Sequence, residues 1–252
     1  ATDTFQEEQV ALLRAYLERN WSSLRLLSKR GIDLEPAGLG ACESNHRVYS
    51  YRMKHQGKHW SKAGADAIGL VFYPPSPRSV TVEQAQQLLT HIPPYVQTVG
   101  LFVNASPEEI LAVLQNVALD VLQLHGDESP EMCQQIAQLT KRRWYKAIQV
   151  KPDLNLINEI QRYQQAGASA ILLDAWHPDL KGGTGLQFDW SQFPKLDIPL
   201  ILAGGLNPDN IAEAIALTQP FAVDVSGGVE AQKGIKDQRL IKKFMQGVHC
   251  GS

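Results

Sequence analysis

Pro199–Glu230 reads PLILAGGLNPDNIAEAIALTQPFAVDVSGGVE and contains two strand-to-glycine turns of one kind, closed by Gly204-Gly205 and by Gly227-Gly228. The run Leu200–Ala203 lies between Pro199 and the first glycine pair, which predicts a short strand buried on both faces rather than a half-exposed alternating one. A helix follows, with Asn207 or Asp209 as its cap and Ile211, Ala214, Ile215 and Leu217 as its apolar face. The run Phe221–Val225 holds a second buried strand, Ala222–Val225, and Ser226-Gly227-Gly228 leads through Gly234 and Lys236-Asp237 into a last helix, Gln238–Val248. Glycines at such corners let backbone N–H groups approach an anion closely, and a helix N-terminus behind them favours negative charge. Two ordinary tight turns would carry the same glycines. A consecutive pair at the end of a βα chain is instead where barrels of eight βα units hold phosphate.

Working outward from this stretch, short apolar runs alternate with amphipathic segments from Gly64 onward. The expected strands are Ala67–Phe72, Val99–Val103, Val121–Leu124, Trp144–Val150, Ala170–Leu173, Leu200–Ala203 and Ala222–Val225. Thr81 heads one intervening helix, Ser106 with Glu109 makes a capping box for the next, Ser129 heads a third, and a fourth covers Leu154–Gln165. Strands joined by crossover helices form a parallel sheet, and right-handed crossovers wind it toward a (β/α)8 barrel. Only seven units are visible, so either residues 1–63 supply the eighth strand or the sheet has a gap. Two regions are therefore expected: an atypical, mostly helical and locally basic segment over 1–63, and the barrel over 64–252. In the first, Val10, Leu13, Leu17, Leu24 and Leu27 give helical spacing over 5–29.

The chain has 252 residues, 44% of them hydrophobic and 20% charged, enough for one large core. A formal net charge of −2 gives no overall attraction to nucleic acid or anionic membrane. Cys42, Cys133 and Cys250 are odd in number and far apart, which argues against a disulfide framework and for a reducing compartment. No apolar run reaches membrane-spanning length, and Asp3, Glu7 and Glu8 stand where a signal peptide would be positive. A cytoplasmic monomer or homodimer is expected.

In a parallel barrel the active face is formed by the carboxyl ends of the strands, so the polar residues just after each apolar run are the candidates. They include Arg78, Asn104, His125, Asp127, Asp174 and Asp224, beside the two glycine corners. Asp174 ends ILLD and abuts Lys181-Gly182-Gly183-Thr184-Gly185, a position where partial burial can hold a carboxyl ready as a general acid. Arg78 closes Tyr73-Pro74-Pro75-Ser76-Pro77-Arg78, whose prolines stiffen the turn that presents its guanidinium to a carboxylate. His125 either orients substrate or packs as a hydrogen-bonding residue at a strand end.

The ordered set GADAIGLVFYPPSPR, VGLFVN, LDVLQLHGDE, ILLDAW with KGGTGLQFDW, PLILAGGLNPDNI and AVDVSGGVE with GIKD resembles phosphoribosylanthranilate isomerase, from Gly64 to about Gln246. The resemblance implies a TIM barrel in tryptophan biosynthesis that needs no cofactor or metal. It implies an Amadori rearrangement of N-(5′-phosphoribosyl)anthranilate, a phosphorylated sugar-anthranilate, into an aminoketose. Asp174 then matches the general acid, and Arg78 the group facing the anthranilate carboxylate. By the same resemblance Gly204, Gly205, Gly227 and Gly228 would hold the phosphate, while His125 and Asp224 are expected to bind substrate from their places at strand ends. The family's base is a cysteine in a first-strand motif like KICGIT, which is absent here; Cys42 has no apolar strand before it. Without that base the chain reads alternatively as a catalytically impaired phosphate-binding barrel.

The segment GLGACESNHRVYSYRMKHQGKHWSKAGA resembles the C-terminal part of insertion-sequence transposases, as though foreign sequence replaced the first βα unit. Its Cys42, His46, His55 and His59 lack zinc-finger spacing, and its basic and aromatic residues suit nucleic acid in principle. A solvated connector is the expected role.

Overall fold

The computed structural model describes residues 65–151, 153–175 and 190–250, and the backbone of 47–52. All belong to one compact unit, Asn45–Ser252. Eight parallel strands follow one another around a closed barrel: β1 (Arg47–Arg52), β2 (Ala67–Val71), β3 (Gln97–Phe102), β4 (Val121–Leu124), β5 (Arg143–Val150), β6 (Ile171–Ala175), β7 (Leu200–Leu202) and β8 (Ala222–Val225). Around it lie α1 (Val82–Leu89), α2 (Pro107–Leu114), α3 (Pro130–Thr140), α4 (Leu156–Gln165), α5 (Ile211–Thr218) and α6 (Gln238–Cys250). A small antiparallel hairpin, β9 (Glu230–Gln232) and β10 (Ile235–Lys236), stands between β8 and α6.

The eighth strand comes from the basic segment. β1 pairs Tyr51 with Ile68 of β2 on one side and Val48 with Val223 of β8 on the other, which closes the ring. The barrel therefore reaches N-terminal of Ala63, and the connector reading is corrected for Arg47–Arg52. Its sequence, RVYSYR, has the β-branched and aromatic residues that strands favour, but no continuous apolar run to announce it. The helix expected over 5–29, Cys42, the histidines at 46, 55 and 59, and the transposase-like segment apart from 47–52 and Ala65 lie outside the described residues. So does the glycine loop at 181–185.

Alternating side chains feed two apolar clusters, because successive residues of a strand point to opposite faces. Ala67, Val99, Val121, Tyr145, Leu172, Ile201 and Ala222 fill one. Their neighbours Ile68, Leu122, Ile171, Leu200 and Val223 belong to the other, with Ile110, Ile136, Ile160, Ile215 and Phe244 from the helices. Fully burying each valine, leucine, isoleucine or phenylalanine among them contributes about 1.5–3 kcal/mol, so the strands are held from both faces. Thr81 and Ser106 each form the complete capping box, and Ser129 accepts from Met132 N, which starts three helices where the sequence places them.

Candidate active site

The pleat that packs the first cluster carries the polar residues of the site. On β6, Asp174 lies two residues beyond Leu172; on β8, Asp224 lies two beyond Ala222; on β4, Gln123 and His125 continue from Val121. All share the parity of the inner apolar residues, so the barrel changes from apolar to polar toward the carboxyl ends of its strands. Each is buried: Gln123 is 0% exposed, Asp224 4%, Asp174 5% and His125 7%.

A cavity of about 520 Å³ opens at this end, and Arg78, Asp174, Gly204, Gly205, Asp224, Gly227 and Gly228 all line it. The structure thus brings seven of the ten residues singled out from sequence to one cavity. His125 lines a neighbouring space of about 220 Å³, but its Nε2 lies 3.3 Å from Asp174 Oδ2. Behind it, Tyr145 donates to Gln123 Oε1 at 3.2 Å, and the Gln123 amide nitrogen lies 2.9 Å from His125 Nδ1. Donation from that amide to Nδ1 assigns the ring proton to Nε2, facing Asp174. Asn104 and Asp127 are exposed and brace each other instead, Asp127 N donating to Asn104 Oδ1 at 2.6 Å.

The loop after β4 is held from below. Lys146 donates to the carbonyls of Leu124 and Gly126, either side of His125, and pairs with Glu128 at 3.2 Å. Glu128 in turn accepts from the N–H groups of Asn104 and Gly126. A buried pair with this many partners fixes loop geometry, whereas a lone buried charge would be costly.

The two glycine corners touch. Gly204 and Gly205 adopt φ of 83° and 67°, a left-handed backbone that suits glycine. A Cβ on Gly228 would lie 1.8 Å from Leu206 O and 3.0 Å from Asn207 Cα, so the second corner packs directly on the first. The expected cap at Asn207 or Asp209 is displaced to Asn210, whose side chain makes no cap bond. It turns back, donating to Gly205 O at 3.0 Å and accepting from Asn207 N at 2.8 Å. After Gly227-Gly228 the chain forms the hairpin before α6 begins, where Asp237 Oδ1 accepts from Arg239 N and Leu240 N.

Arg78 is only 5% exposed, and its Nε and Nη2 each donate to Glu230, both at 2.7 Å. The fork expected to await a substrate carboxylate is thus partly engaged by one from the chain itself. Lys236 also donates to Glu230, at 2.8 Å. Burial alone would raise the Glu230 carboxyl, but bonds from Arg78 and Lys236, with their charges, bring it down to about 2. Glu230 and Lys236 were not singled out from sequence, because a glutamate and a lysine near glycine turns read as surface residues. Gln123 did leave a signal, a polar residue inside VLQL.

No cysteine lines the cavity among the described residues. Cys133 is buried in α3, where burial pushes its thiol up to about 12, and Cys250 is exposed at the end of α6. Among those residues, too, no helix is long and apolar enough to cross a membrane. Two inward carboxylates beside paired glycine corners suit proton transfer on a small molecule that carries an anionic group.

Fold and site together define a (β/α)8-barrel protein with its polar cavity at the carboxyl ends of the strands. The family described as N-(5'phosphoribosyl)anthranilate (PRA) isomerase matches residues 47–247, beginning at β1. N-(5'-phosphoribosyl)anthranilate isomerase of Acinetobacter calcoaceticus is 74% identical over 190 residues, 75% of this chain and 89% of that one. The Pseudomonas putida (strain F1) protein of the same name is 53% identical over 189 residues, again 75% and 89%. The crystal structure of phosphoribosyl anthranilate isomerase from Thermotoga maritima superposes with a TM-score of 0.70 at 39% identity, covering 81% of this chain and 98% of that one. A crystal structure of a phosphoribosyl anthranilate isomerase in complex with reduced 1-(o-carboxyphenylamino)-1-deoxyribulose 5-phosphate has 36% identity and a TM-score of 0.66 over the same shares. The chain belongs to the phosphoribosylanthranilate isomerase family.

Proposed function

We propose that the chain isomerises N-(5′-phosphoribosyl)anthranilate to 1-(o-carboxyphenylamino)-1-deoxyribulose 5-phosphate, an Amadori step of tryptophan biosynthesis. The observation that carries this reading is the convergence of Asp174, Asp224, Arg78 and both glycine corners on one cavity. Asp174 is the general acid. It gives a proton to the ribose ring oxygen as the bond from that oxygen to C1′ breaks, and the nitrogen lone pair stabilises the cation left at C1′. Loss of a proton from C2′ then yields an enolamine, and its tautomerisation places the ketone at C2′, with no net change in atoms or electrons.

His125, with its Nε2–H turned to Asp174, orients that carboxyl, and Asp224 accepts from sugar hydroxyls. Gly204, Gly205, Gly227 and Gly228 offer backbone N–H groups to the phosphate. Arg78 meets the aryl carboxylate. β1 carries no thiol, so the family's first-strand cysteine base has no counterpart on that strand. The steps are proton transfers, for which side chains suffice, and a cytoplasmic enzyme acting on a small phosphorylated molecule is the consistent setting. Identity of 74% to a protein named as the isomerase disfavours a binding protein without turnover.

Anthranilate fluorescence tests the assignment: it falls as substrate is consumed by the purified chain, and Arg78→Ala raises KM by about tenfold or more through loss of a charged hydrogen-bond pair. No fall with the unaltered chain removes the assignment, and an unchanged KM removes Arg78 from its role.

A further inference from the structure

Glu230 opens the hairpin that rims the cavity, and it binds two cations at once: Arg78 through both carboxylate oxygens and Lys236 through Oε1. The three side chains are nearly sealed, at 6% exposure for Arg78, 5% for Glu230 and 2% for Lys236. Lys236 also donates to Ser226 O, at the second glycine corner. At the hairpin tip, Gly234 (φ 85°) is seated on the proline turn that carries Arg78, since a Cβ there would lie 3.0 Å from Pro77 O. The hairpin therefore joins the arginine turn to the phosphate corner through one carboxylate. A guanidinium has more than one two-donor edge, and Glu230 occupies only the Nε–Nη2 edge.

We propose that Glu230 is a positioning residue for the carboxylate end of the site: by holding the Nε–Nη2 edge of Arg78, it presents the Nη1–Nη2 edge to the aryl carboxylate of the substrate. This rests on the reading of Arg78 given above. Two effects oppose each other when Glu230 is neutralised. Removing its charge makes the cavity more attractive to an anion, but it also leaves Arg78 and Lys236 as buried cations without their shared partner. Burial decides between them: an unpaired guanidinium on a long side chain turns toward water or toward the inward aspartates, so alignment is lost and binding weakens.

The test compares two ligands by titration calorimetry, the reduced product and the same molecule without its ring carboxylate. Their affinity ratio isolates the carboxylate contact, whereas a merely structural defect weakens both ligands alike. In the unaltered chain the carboxylated ligand binds more tightly, and Arg78→Ala removes the preference. Glu230→Gln is expected to lower the ratio by about tenfold or more while the ligand without carboxylate stays within about threefold. Glu230→Asp, which keeps the charge on a shorter side chain, gives an intermediate ratio, and it decides the matter should the glutamine variant not fold.

An unchanged ratio in the Glu230 variants, or equal weakening of both ligands, overturns the proposal while leaving Arg78 in place. Tighter binding of the carboxylated ligand by Glu230→Gln also overturns it and makes Glu230 a competitor that substrate displaces. If Arg78→Ala itself leaves the ratio unchanged, the underlying reading of Arg78 has failed first.

Discussion

At the scale of single residues, Glu230 ties the site to acid stability. Its folded-state carboxyl is depressed from 4.5 to about 2, so its stabilising contribution is complete above about pH 4.5 and is lost as pH falls toward 2. The full depression corresponds to an upper bound on the order of 3 kcal/mol. Urea unfolding followed between pH 5 and pH 2 is expected to show that loss, and Glu230→Gln to flatten it; an identical slope in the variant contradicts the ion-pair reading. Neither partner of this pair announced the other, because Arg78 and Glu230 are 152 residues apart and each looks like an ordinary surface charge. Asp174 was legible for a local reason, since a carboxylate ending the buried run ILLD stands at the carboxyl end of a strand, where the mouth of a barrel lies.

Elements explain why the glycine corners were readable and their contact was not. Buried strands that end in paired glycines identify themselves by composition, as do capping boxes at Thr81 and Ser106. The approach of Gly228 to Leu206 O is a meeting of two elements, and local sequence does not encode it. Gly228→Ala forces a methyl against that carbonyl, which costs about 1–3 kcal/mol as overpacking does and pushes the corners apart. Thermal unfolding is expected at lower temperature, with weaker binding of inorganic phosphate as read by calorimetry. An unaltered melting midpoint and unaltered phosphate affinity would show that the corners do not depend on each other. β1 was missed at this scale because RVYSYR alternates without an apolar face, and its strand character comes from having β2 and β8 to pair with.

The whole molecule is a closed ring, and closure is what aims the site. Seven strands and the glycine corners were visible from Gly64 onward, but the ring needs β1 between β8 and β2. β1 pairs with β8 at Arg47–Tyr49 and at Tyr51, so Val48→Pro disturbs that ladder and is expected to cost about 1–3 kcal/mol. Circular dichroism melts are expected to show that loss, whereas an unchanged midpoint would remove 47–52 from the barrel. Because the ring delivers an acid from β6 and glycine corners from β7 and β8 to one mouth, binding and chemistry should be separable. The most direct test is Asp174→Asn, comparing affinity for the reduced product with turnover of phosphoribosylanthranilate by fluorescence. Loss of a general acid predicts a kcat lower by about 10²–10⁴-fold with affinity within about threefold. Undiminished turnover by the asparagine variant would contradict the account.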